Sequence, residues 1–161
     1  MSDPVVFERI EQDPYSALTQ QAAELLVRDL YRSLSDPRKP VWSDVNDRIG
    51  QIDEIGQHFV VHEAGIVFGV IAVRDSIDGT STKIVELVTN RFTRHSGFGR
   101  RLIEGVAQRA LEAGHSSVQL NPADSAIPFY RKLGFELAHP GKASTLTASV
   151  ETLLSICSDK G

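Results

Sequence analysis

A chain of 161 residues with 41% hydrophobic and 24% charged content has the size and composition of one soluble core, which excludes a disordered, collagen-like or coiled-coil protein. Its net charge of −4 argues against nonspecific nucleic-acid binding, because that draws on clustered Lys and Arg neutralising phosphates. The longest apolar run, Ala64 to Val73, is far shorter than the roughly 20 residues a bilayer span needs, so no membrane partner is expected. The N-terminal MSDPVVFERIEQDP carries acids and lacks a basic start or apolar run, and a cytoplasmic location is the expectation. Cys157 is the single cysteine, which excludes internal disulfides and a multi-cysteine zinc site.

Taken in chain order, Val5 to Ile10 reads as a strand ending at Asp13-Pro14, which reads as an N-cap and a first helical residue. Leu18, Ala22, Leu25, Leu26, Leu30 and Leu34 recur at helical spacing and predict a helix from Pro14 to about Leu34. After the loop SDPRKP, Ser43 reads as a second cap, with Val45, Ile49 and Ile52 on one face of a shorter helix closed by Gly56. The period then changes to that of strands: Gln57 to Glu63 and Ile66 to Arg74 are joined by the turn pair Ala64-Gly65, and Lys83 to Thr89 follows. These three are expected to pair antiparallel. Phe98, Leu102, Val106 and Ala110 restore helical spacing until Gly114 stops it. Ser117 to Leu120 reads as a strand, Ser125 to Leu133 as a short helix and Phe135 to Ala138 as a strand, while Lys142 to Cys157 has no clear period. The pattern is α+β in one domain, residues 1–161, around a mixed sheet.

Chemistry concentrates in NRFTRHSGFGRRL, directly after the strand Lys83 to Thr89. Glycines two apart at a helix start let several backbone N–H groups converge where the helix dipole adds about half a positive charge. Gly97 and Gly99 permit close approach, and Arg94, Arg100 and Arg101 add cations, so the segment suits a pyrophosphate. The dinucleotide fingerprint fails because Leu102 stands where a third glycine belongs, and the Walker pattern lacks Gly-Lys-Ser/Thr.

Arg94, Gly97 and Gly99 do satisfy the Arg/Gln-x-x-Gly-x-Gly/Ala motif of the GNAT N-acetyltransferases, and SAIPFYRKLGFE resembles that superfamily's later helix and strand with its Tyr-x-x-x-Gly-Phe ending. The resemblance covers roughly the half of the chain from Ile66 onward. It implies a mostly antiparallel central sheet with helices on both faces, and acetyl-CoA as cosubstrate. Pantetheine would lie along Leu87, Val88 and Thr89, and pyrophosphate on the amides of Arg94, His95, Ser96, Gly97, Phe98, Gly99 and Arg100, beside Arg101. Tyr130 would donate the proton to the leaving thiolate. Thr89, Arg91 and Ala123 depart from residues frequent in the family, and with an asparagine absent at 123 the cofactor role of Asn121 is left open.

Acetyl transfer also needs a polarised carbonyl and a deprotonated amine. A backbone N–H near Val88 or Thr89 suits the first, and Glu86 on the same strand is the candidate base, with Glu63 or a water relay as alternatives. No metal is expected, since His58, His62, His95, His115 and His139 form no ligand set. Direct attack by a primary amine in a ternary complex is preferred to an acyl-enzyme, because Cys157 has no nearby histidine in sequence. The alternative is a noncatalytic acyl-CoA-binding module. The acceptor is a small amine or a peptide amine, and a homodimer through sheet edges or the C-terminal segment is compatible with the sequence.

Charge suggests the acceptor's character. Residues 1–80 hold seven Lys/Arg against fourteen Asp/Glu, whereas residues 81–161 hold ten against seven. With the anionic cosubstrate on the basic half, a cationic acceptor is expected opposite Asp44, Asp47, Asp53, Glu54 and Glu63.

Overall fold

The computed structural model describes residues 4–36, 38–93, 96–139 and 142–158. Among these, seven strands form one sheet: β1 (Val5–Ile10), β2 (Gln57–Glu63), β3 (Ile66–Asp75), β4 (Ser81–Thr89), β5 (Ser117–Leu120), β6 (Glu136–His139) and β7 (Lys142–Ser149). The helices are α1 (Ala17–Ser33), α2 (Trp42–Gly50), α3 (Phe98–Glu112), α4 (Ile127–Lys132) and α5 (Val150–Ser158). Strand order is β1-β2-β3-β4-β5-β7-β6. The β4–β5 pair is parallel, from Ser81↔Ser117 to Ile84↔Leu120, while β1–β2, β5–β7 and β6–β7 are antiparallel. No helix of the described residues is long and apolar enough to cross a membrane.

The chain divides into two compact units, residues 1–72 with 86–102 and residues 73–85 with 103–161. In the first, one face of α1 presents Ala22, Leu25 and Leu26 to Val60, Val67, Val70 and Val88 of the sheet, and a neighbouring face presents Ala23, Val27 and Tyr31 to Val45 and Ile49 of α2. The helical spacing thus serves two partners at once. The predicted hairpin is present, with Ala64 and Gly65 both at positive φ, 52° and 81°, as a two-residue turn matched to strand twist requires.

Helix starts differ from the sequence reading. α1 begins two residues after Pro14's neighbour Tyr15, with Ser16 as the cap accepting from the Thr19 N–H at 3.3 Å. Asp13 instead accepts from the Tyr15 N–H at 2.9 Å, a local turn that uses up its capping capacity. α2 starts at Trp42, which puts Ser43 inside the helix and Val41 at the cap, where an apolar side chain can make no capping bond; the Val41 N–H donates to the Tyr31 hydroxyl at 3.3 Å. It ends at Gly50 rather than Gly56.

In the second unit, the stretch without clear period becomes β7 and α5. β7 pairs with both β5 and β6. α5 buries Val150, Leu153 and Cys157. Gly134 has φ 100°, and a Cβ there would lie 2.7 Å from Thr152 Cγ2 and 2.9 Å from Ile156 Cδ1. The glycine of the Tyr-x-x-x-Gly-Phe segment therefore has a packing reason here: it lets α5 close on the chain.

Candidate active site

The glycine-rich turn and the first turn of α3 belong to the first unit. Gly97 adopts φ 83°, a conformation that favours glycine, and its carbonyl accepts the first helical bond from the Arg101 N–H at 3.0 Å. The N–H groups preceding Arg101 then have no partner within the helix, and the 15-residue α3 directs its positive dipole end at the same place. Two contacts fix this turn against the sheet. The rings of Phe68 on β3 and Phe98 stack at 4.6 Å, within 4° of parallel. At Gly69 of β3 a Cβ would meet Leu102 Cδ1 at 3.0 Å and both Thr89 Cγ2 and the Val88 carbonyl at 3.3 Å, so the missing side chain lets Leu102 seat on β3 beside the end of β4. Such a turn fits a phosphate.

The expected cosubstrate contacts divide accordingly. Ser96, Gly97, Phe98, Gly99 and Arg100 lie on this turn. Arg101 follows, but its Nη2 donates to the Val5 carbonyl at 3.0 Å, tying α3 to β1. Arg94 and His95 lie outside the described residues. Asn121 accepts from the Thr145 hydroxyl at 2.8 Å, a link from the end of β5 to β7.

On the other side of β4 in the same unit is a cavity of about 640 Å³, lined by α1, the α1–α2 loop, α2 and the consecutive residues Glu86, Leu87 and Val88. Alternation along a strand cannot turn three successive side chains one way, so part of that wall is main chain. Its charged lining is Asp29, Asp36, Asp44, Asp47 and Glu86 against Arg38 and Arg48. Of the acids singled out in sequence, Asp44 and Asp47 line it. Asp53, Glu54 and Glu63 do not, Asp53 pairing with Arg9 at 3.2 Å.

Arg48 is the residue that sequence reasoning missed. Its Nη2 donates to Glu86 Oε2 at 3.1 Å and to His58 Nε2 at 2.9 Å, while His58 Nδ1 faces the Gly56 carbonyl at 2.9 Å. A carbonyl only accepts, so Nδ1 carries the proton and Nε2 is free to accept. His58 is fully buried, and that burial holds its pKa below the ordinary 6.5, which keeps the ring neutral. The guanidinium thus bridges a neutral imidazole and a carboxylate. Glu86 Oε1 takes no bond from a described residue. The signal for Arg48 was its spacing: it stands three residues after Val45 and beside Ile49, on the apolar stripe of α2.

Also lining the cavity, Tyr31 donates to Asp44, and that bond is the main reason its phenol is raised above 10.0. In the second unit, Tyr130 is 6% exposed and meets Phe129 and Phe135 edge-on at 5.0 and 5.6 Å. Burial pushes its pKa up to about 12. It therefore holds its proton at neutral pH.

A family model described as an acetyltransferase (GNAT) domain matches residues 41–145, which include β4, the glycine turn and α4. The chain belongs to the GNAT acetyltransferase family. Its fold is that of solved GNAT enzymes: an aminoglycoside 6'-acetyltransferase type Ii, at 15% identity and TM-score 0.69, covering 90% of this chain and 97% of that one. An aminoglycoside 6'-N-acetyltransferase complexed with coenzyme A is similar at 13% identity and TM-score 0.68, covering 90% and 97%. Tetrahymena GCN5 is similar at 15% identity and TM-score 0.69, covering 90% and 96%. No curated protein matches the chain. The mixed, mostly antiparallel sheet expected from the resemblance is thus present, with β7 added to the six strands read in the sequence, and the protein is an acetyltransferase.

Proposed function

We propose that this GNAT enzyme acetylates a primary amine bound in the 640 Å³ cavity beside β4. The observation that carries the proposal is Glu86. Its side chain is one-third exposed, it lines the cavity, and Arg48 holds it by Oε2 alone. The amine arrives as an ammonium ion, drawn by a lining of five carboxylates against two guanidiniums.

Glu86 takes the proton, leaving the nitrogen lone pair to attack the thioester carbonyl. A main-chain N–H at Val88 or Thr89 stabilises the oxyanion. As the tetrahedral intermediate collapses, the C–S bond breaks and Tyr130 gives its proton to the thiolate; the nitrogen loses its second proton to solvent, solvent reprotonates the tyrosinate, and the amide and free CoA are released. The phosphates rest on the Ser96–Arg100 turn. Attack is direct, since Cys157 is buried in α5.

Thiol release from acetyl-CoA, measured against polyamines, aminoglycosides, amino acids and peptides, tests this reading. Acceptor-dependent release is expected, and silence across the panel would overturn the amine assignment. Tyr130→Phe should lower turnover about 10²- to 10⁴-fold with little change in CoA affinity by calorimetry, because only the proton donor is lost.

A further inference from the structure

The first unit holds a second pocket, of about 330 Å³, whose charge is opposite to that of the first. Arg28 and Arg32 of α1, Arg38 and Lys39 of the α1–α2 loop, and Arg91 after β4 line it, with Asp36 the one acid and Phe92 at its lip. Residues 1–80 contain seven cationic side chains in all, and four of them converge here despite that half's net negative charge.

Little within the chain neutralises them. Arg38 pairs with Asp36 at 2.8 Å and Arg32 with Asp29 at 3.4 Å. Among the described residues Arg28, Lys39 and Arg91 have no carboxylate partner, and Arg91 lies instead over the Phe92 ring at 4.7 Å. Arg32 Nε is buried without a hydrogen-bond partner. Gathering like charges and stranding a guanidinium nitrogen are both unfavourable. A phosphate or carboxylate in the pocket would relieve both, since guanidinium forks match those anions.

Asp36 and Arg38 line this pocket and also the acidic cavity. The two are therefore adjoining chambers with a shared wall. Resting on the amine-acceptor reading above, we propose that the acceptor is bipolar: its ammonium end enters the cavity at Glu86, and a phosphate or carboxylate at its other end is held by Arg28, Arg32, Lys39 and Arg91. The acids select the reacting nitrogen, and the basic pocket selects which amines are presented.

The probes are 1,5-diaminopentane, 6-aminohexanoate and 5-aminopentyl phosphate, which share a chain and differ in the far end. At low salt, kcat/KM for the phosphate amine should exceed that for the diamine about tenfold, and the doubly substituted Arg28→Gln/Lys39→Gln protein should lose that ratio. A ratio near one in the unsubstituted protein, or a ratio unchanged in the variant, overturns the proposal. So does a variant that raises KM for acetyl-CoA and leaves the acceptor's alone, which would give the pocket to a phosphate of the cosubstrate.

Calorimetry of 5-aminopentyl phosphate into protein saturated with CoA reads the pocket without turnover. Binding that weakens about tenfold in the variant supports the pocket, even if no amine is acetylated, in which case the acceptor reading alone falls. No millimolar binding, or equal binding by both proteins, overturns the pocket.

Discussion

Arg48, His58 and Glu86 in the first unit, and Arg109, His115 and Asp75 in the second, are each an arginine, a histidine and a carboxylate, wired differently. Arg109 gives Nη1 and Nη2 to the two oxygens of Asp75 at 3.0 and 3.1 Å, and His115 Nδ1 lies 2.7 Å from the Thr82 hydroxyl. That arrangement closes on itself and joins α3 to the ends of β3 and β4. Arg48 instead divides one nitrogen between two acceptors, leaves Nη1 buried without a hydrogen-bond partner and leaves Glu86 Oε1 to the cavity. A fork with both Nη atoms on one carboxylate fastens elements together. A fork spent on one oxygen holds a carboxylate in place while keeping half of it available.

The contrast is open to direct attack. The largest expected effect is that Glu86→Gln lowers kcat/KM by about 10²-fold or more, whereas Asp75→Asn leaves kcat/KM within about twofold. Steady-state rates on both variants decide this, and equal losses would erase the distinction. Next, Arg48→Leu should cost about 2–3 kcal/mol in urea unfolding, because it strands a fully buried imidazole nitrogen and a partly exposed carboxylate. Arg109→Leu should cost only about 1 kcal/mol, since Asp75 is 43% exposed and can be rehydrated.

The smallest effect is in pH. Burial depresses the folded-state pKa of His58 below 6.5, so on acidification the unfolded chain takes up that proton first. Stability should then fall as pH drops below about 6.5. The hydrogen bonds from Arg109 lower Asp75 from 3.8, so its contribution is complete above that pH and is lost further down. Urea midpoints from pH 8 to 3 should show two separate declines, and Asp75→Asn should shrink the lower one while leaving the part owed to Asp78, whose carboxylate the hydrogen bonds from Ser76 and Thr80 hold down to about 2.

Much of the fold could be read along the chain where the cause was local. The β2–β3 hairpin follows from Ala64-Gly65 between Val-rich runs, and α3 from the spacing of Leu102, Val106 and Ala110. β7 could not be read that way, since Lys142–Ser149 owes its extended form to β5 and β6 on its two sides and not to its own alternation. The glycine turn was visible because its residues are contiguous. The acidic cavity was visible only in part: helix α2 places Asp44 and Asp47 by local spacing, but Asp29 and Asp36 arrive through the packing of α1 on α2. Arg48 and Glu86 are separated by 38 positions, and neither residue type announces the other.

Trp42, the lone tryptophan, opens α2 and is 57% exposed, one residue past the Val41 N–H that bonds Tyr31. The protein consequently carries a single tryptophan, excitable at the red edge where its three tyrosines do not absorb, on the helix that bears Asp44, Asp47 and Arg48. Its emission and its quenching by acrylamide report on that helix alone, so acceptor binding can be followed optically on the unlabelled enzyme.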